Sequence, residues 1–205
     1  AYHAHGHETV PERGAWAVTV PGAPSGWCEL NSRLGRLPLE RILQSAIRYA
    51  EEGFPVSPII ASVWHSCEEL LRHDPEAART YLVHGRAPRL GERFCQPDLA
   101  RSLRLLAEHG PDGFYRGPTA QAIAATIRSH GALLTEEDLA AHTSSWVEPI
   151  TTDYHGLRVY ECPPNGQGIV ALEALNILSG VDLAAMPFDA PDTVHVKMEA
   201  LKLAL

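Results

Sequence analysis

Long apolar runs are missing from this 205-residue chain. None approaches the roughly 20 residues that a helix needs to cross a bilayer. A basic stripe is missing too. Lys and Arg number 17 against 25 Asp and Glu, giving a formal net charge of -8, and they are scattered among helix starts and ends, as at Arg101 and Arg104. A nucleic-acid binder needs a basic face to neutralise phosphates, so nucleic acid is not an expected partner. Cysteine is scarce and unpatterned: Cys28, Cys67, Cys95 and Cys162 form no CxxC. Three of them sit among apolar helix or strand positions, which predicts buried free thiols rather than a zinc site or a disulfide frame. The opening AYHAHGHE has neither the basic nor the apolar stretch of a signal peptide and no methionine. The natural start is therefore expected upstream, and no compartment can be assigned.

What is present is helix punctuation. Apolar residues make up 45% of the chain, enough for a core in one large or two small domains. Residues 15–20 alternate Trp16, Val18 and Val20 with Ala15, Ala17 and Thr19, which predicts a strand broken by Pro21-Gly22. Ser25 is placed to cap the next helix, and Gly35 to end it in a left-handed turn. Pro38 opens a helix carrying Leu39, Ile42, Leu43, Ala46, Ile47 and Ala50, stopped by Gly53. Ser57-Pro58 opens another, with Ile59, Ile60, Val63, Trp64, Cys67, Leu70 and Leu71 as a buried stripe, and Asp74-Pro75 a shorter one. Residues 85–96 read as a loop. Pro97 to His109 forms a helix closed by Gly110, and Pro118 opens one with Ala120, Ile123, Ala124 and Ile127 inward. Thr135 and Asp138 have the spacing of a capping box. The period then becomes two-fold: 146–153 and 157–162 read as a hairpin around Tyr154-His155-Gly156. Helices follow over about 168–178 and from about Asp192 to the end, the last one presenting Val194, Met198, Leu201 and Leu205. Residues 1–13 read as a loop or disordered start.

Three patterns could carry chemistry. Gly166, Gly168 and Ala171 spell GxGxxA between a strand and a helix, the positions that let a dinucleotide's pyrophosphate approach a helix N-terminus. Their context is wrong, because the strand before them is hairpin-paired and Pro163-Pro164 stiffens its exit. His3, His5, His7 and Glu8 resemble a metal-binding tract at a chain end. Gly22-Ala-Pro-Ser25-Gly26 approaches a nucleophile elbow, but its spacing is not G-x-S-x-G. Asp98, Asp112, Glu136, Glu137 and Asp138 are first-turn or turn carboxylates suited to helix dipoles. None of these makes a catalytic constellation, so no catalytic, substrate-binding or metal-ligating residue is expected in this chain.

Five segments occur in fixed order: VTVPGAPSGW (18–27), GRLPLERILQSAIRYAEEGFPVSP (35–58), QPDLARSLRLLAEHGPDGFYRG (96–117), LTEEDLAAH (134–142) and YHGLRVYECPPNGQG (154–168). In series they resemble the large subunit of the γ-glutamyltranspeptidase family of N-terminal nucleophile hydrolases, from about Gly14 to Leu205. The resemblance implies an α+β chain, predominantly helical with a few strands, forming an internal fragment of one domain with a four-layer αββα sandwich. It implies a precursor that cleaves itself into large and small subunits, with the small subunit as partner. The threonine exposed by cleavage would attack γ-glutamyl compounds such as glutathione and pass the acyl group to water or an amino acid, without a cofactor. That threonine is expected downstream of Leu205, and the family's carboxylate-binding arginine upstream of Ala1. The NGQG wording departs from the small-serine version of the best-known transpeptidases, which keeps a cephalosporin-acylase-like amidase open. A non-enzymatic helical interaction module, and nucleotide binding through Gly166, Gly168 and Ala171, stay open beside it.

Overall fold

The computed structural model describes residues 2–6 and 8–205. They fall into two compact units, one running to Ser144 and one from Ser145 to Leu205.

In the first unit most helices begin and end where the punctuation places them. Helix α1 spans Ala23–Leu34 and α2 spans Leu39–Glu52, which ends at Gly53 with φ 81°. A two-residue strand β1 (Phe54–Pro55) follows, then α3 (Pro58–Ser66), α4 (Glu68–Arg72) and α5 (Pro75–Tyr81). Strand β2 (Arg93–Phe94) pairs antiparallel with β1. Beyond it lie α6 (Pro97–His109), α7 (Asp112–Tyr115), α8 (Pro118–Ser129) and α9 (Glu136–Ala140). The Asp74 carboxylate caps α5 by accepting from the Ala77 N–H at 2.8 Å. Thr135 and Asp138 form the reciprocal capping box at α9, satisfying two backbone donors that the helix leaves without partners.

Two cores hold this unit. Leu43 of α2, Leu106 of α6 and Cys28 of α1 are buried together, ringed by Leu39, Ile47, Leu103, Ala107 and Phe114. Tyr115, Ala120 and Leu139 form the second, with Val20, Phe114, Ile123 and Leu134 against them. Phe114 belongs to both rims. Gly113 lets α7 lie against α6: a Cβ there would stand 2.0 Å from the Leu105 carbonyl oxygen.

Several expectations need correction. Residues 15–20 form no strand. Ala15–Ala17 is a single 3-10 turn, whose Ala17 N–H bonds locally to Gly14 O at 3.0 Å. Alternation sets only the side-chain faces; a strand also needs a partner, and the described residues provide none here. Ser25 is not the cap of α1. Pro24 fits the first helical turn, so the helix starts after Gly22 and carries Ser25 inside, buried. Gly35 is extended, with φ -71° and ψ 146°, not left-handed. The helix expected over 58–71 breaks at Cys67, where the Ser66 hydroxyl donates to the Val63 carbonyl at 2.7 Å and competes with the helical ladder. Its supposed buried stripe is largely outward, with Ile59 76% and Val63 56% exposed. The 85–96 loop contains β2. Of the cysteines only Cys28 is buried; Cys67 is half-buried, Cys95 and Cys162 are exposed, and all four are free thiols. Tyr2–His5 makes one 3-10 turn within the segment read as loop, and the Tyr2 hydroxyl donates to the Trp16 carbonyl at 2.8 Å.

In the second unit, β3 (Ile150–Tyr154) and β4 (Leu157–Glu161) pair antiparallel, from Ile150 opposite Glu161 to Tyr154 opposite Leu157. His155 and Gly156 both have positive φ, 47° and 82°, as a two-residue type I′ turn demands. Helix α10 (Gly168–Leu178) lies on the hairpin, and α11 (Pro191–Ala204) packs on α10. Thr152 of β3 is buried and its hydroxyl bonds to Asn176 of α10. The buried residues of α11 are the small ones, Thr193, Ala200 and Ala204, while Val194, Met198, Leu201 and Leu205 are exposed.

Candidate functional site

The glycine turn has the strand–turn–helix order that its sequence suggests. Neither Gly166 nor Gly168 has positive φ, so left-handed backbone is not what glycine supplies here. Gly168 is needed for closeness. A Cβ on it would stand 2.7 Å from both Cβ and Oε2 of Glu161. The side chain at the end of β4 therefore fills the space over the first residue of α10. A pyrophosphate at that helix end would meet a carboxylate instead of open backbone donors, and the strand before it belongs to an antiparallel hairpin rather than a βαβ unit. Ala171 is exposed on α10 and marks no close backbone approach. The geometry rules against nucleotide binding at Gly166, Gly168 and Ala171.

Of the histidine tract, His5 packs its ring 4.8 Å from that of Trp16, and His7 lies outside the described residues. Among the described residues no three His, Cys, Asp or Glu side chains converge on a point where a metal could sit.

A polar cluster that the sequence does not reveal lies around Tyr115. Its hydroxyl donates to the Pro21 carbonyl and accepts from the Ser25 N–H at 3.1 Å, joining the end of α7 to the start of α1. Burial pushes the phenol above its ordinary pKa, partly offset by the Ser25 N–H and reinforced by the nearby Cys28 thiol. The His142 ring stacks on Tyr115 at 5.0 Å and 24°. Ser25 Oγ pairs with Ser144 Oγ at 2.6 Å. The cluster contains serine, histidine and tyrosine, but the serine is paired with another serine and not with the histidine. His142 Nε2 is buried without a hydrogen-bond partner, and Ser25 is only 6% exposed. Ser25 and Tyr115 are 90 positions apart and Ser25 and Ser144 are 119 apart, so no local spacing could announce the cluster.

An apolar groove of about 670 Å³ runs between α1, α2 and α6, lined by residues that include Trp27, Leu30, Leu34, Leu39, Ile42 and Leu103. Polar groups are few there. It offers apolar surface for packing and no acid, base or nucleophile for chemistry.

The fold agrees with what the chain resembles in known proteins. The family model described as "Gamma-glutamyltranspeptidase" matches residues 1–205. The chain belongs to the γ-glutamyltranspeptidase family. Among curated relatives, this family member is 40% identical over 198 residues to the "Glutathione hydrolase-like YwrD proenzyme" of Bacillus subtilis, a match covering 96% of the chain and 38% of that relative. Among solved structures it superposes on a cephalosporin acylase from Bacillus halodurans with TM-score 0.88 and 46% identity, over 98% of the chain and 39% of the acylase. It matches Helicobacter pylori gamma-glutamyltranspeptidase with the same TM-score at 26% identity, over 98% of the chain and 58% of that structure. The γ-glutamyltranspeptidase fold is thus shared as an α+β segment, and the family is one of enzymes. The chain spans 38% of the length of the B. subtilis relative. None of the described helices is long and apolar enough to cross a membrane.

Proposed function

We propose that the chain is a large-subunit segment of an N-terminal nucleophile hydrolase that cleaves γ-glutamyl amides such as glutathione. The observation that carries this reading is the family match, which runs from residue 1 to residue 205. In the proposed reaction, cleavage of the precursor frees a threonine whose hydroxyl attacks the γ-carbonyl. Its own α-amino group, with an ordinary pKa of about 7.7–8.0, takes the hydroxyl proton and returns it to the leaving amine. Water or an amino acid then displaces the threonine from the acyl ester. This chain's residues form part of the scaffold of that enzyme.

The surface supports a partner segment. The chain exposes 14215 Å². A folded monomer of 22.4 kDa exposes about 9,400 Å², and two separate bodies of the two units' sizes would expose about 11,000 Å². The excess includes large apolar side chains such as Trp27, Leu34, Ile59, Phe188 and Leu203. Burying them against the small subunit of the same precursor gives the hydrophobic contribution that the chain alone lacks.

A second reading, an acylase-like amidase of the same family, is favoured by one observation. Identity to the cephalosporin acylase is 46%, against 26% to the H. pylori transpeptidase at equal TM-score. The complete precursor separates the two readings when it is assayed with a γ-glutamyl anilide, with and without a dipeptide acceptor, and with a cephalosporin carrying an amide side chain. We expect turnover of the anilide, abolished by replacing the nucleophilic threonine with alanine. Turnover confined to the cephalosporin would assign the acylase reading instead.

A further inference from the structure

We draw no further inference here: the strongest candidate, the apolar groove between α1, α2 and α6 lined by Trp27, Leu30, Leu34 and Ile42, carries nothing, because nothing in the structure shows what covers it.

Discussion

Tyr115 ties two distant segments through one hydroxyl, and its removal should be felt at both. With phenylalanine in its place, the Ser25 N–H loses its partner inside a buried site, a loss of about 1–3 kcal/mol. The Tyr115→Phe chain should therefore unfold at a lower urea midpoint with unchanged slope. An unmoved midpoint would mean that water replaces the phenol and that the contact is incidental. Glu92 offers a test by pH. Its carboxylate accepts from both terminal nitrogens of Arg86, at 2.8 and 3.1 Å, and from the Arg89 N–H at 2.8 Å. The Arg86 hydrogen bonds, then that of the Arg89 backbone, lower its pKa from the ordinary 4.5 to about 2. A depressed carboxylate contributes in full above its unfolded pKa, and the contribution fades as pH falls towards the folded value. The stability gap between the native chain and Glu92→Gln should accordingly be constant above about pH 5 and close between pH 4.5 and 2. Urea midpoints taken across that range would reveal it. A gap indifferent to acid would mean that Arg86 and Glu92 do not pair in solution.

Among the elements, the hairpin and α10 meet where Gly168 touches Glu161. Alanine at 168 forces its methyl against the Glu161 Cβ, and the carboxylate end can swing away while the Cβ cannot. Overpacking of this kind typically destabilises by about 1–3 kcal/mol. Gly168→Ala should lower the thermal midpoint, whereas Gly166→Ala, with open space around it, should leave it nearly unchanged. Equal effects at both positions would contradict the close-packing account. The same contrast between local and distant contacts explains how far the sequence can be read. Helices bounded by Pro and Gly, such as 39–52, 97–109 and 168–178, are legible because their start and stop signals are local. The 150–161 hairpin is legible from its turn and its two-fold period. Residues 15–20 mislead because strand patterning is local while strand pairing is not. The exposed faces of α3 and α11 are legible as apolar but not as uncovered, since a hydrophobic stripe looks the same whether its partner is inside the chain or outside it. The Tyr115 cluster, assembled across 90 and 119 positions, leaves no sequence signal at all.

At the scale of the whole molecule, the proposed function makes one claim: this chain is framework for a site completed by the rest of the precursor. The proposed chemistry uses as base the free α-amino group that precursor cleavage gives to the nucleophilic threonine. The contacts of Ser25 with Tyr115 and Ser144 leave it buried and without a general base. The most direct test is the release of the aniline from a γ-glutamyl anilide by three preparations: the 205-residue chain alone, the complete precursor, and the chain mixed with the remainder of that precursor. We expect no turnover by the chain alone, turnover by the complete precursor, and some recovery in the mixture. Turnover by the chain alone that disappears when one of its own serines or threonines is changed to alanine would contradict the account.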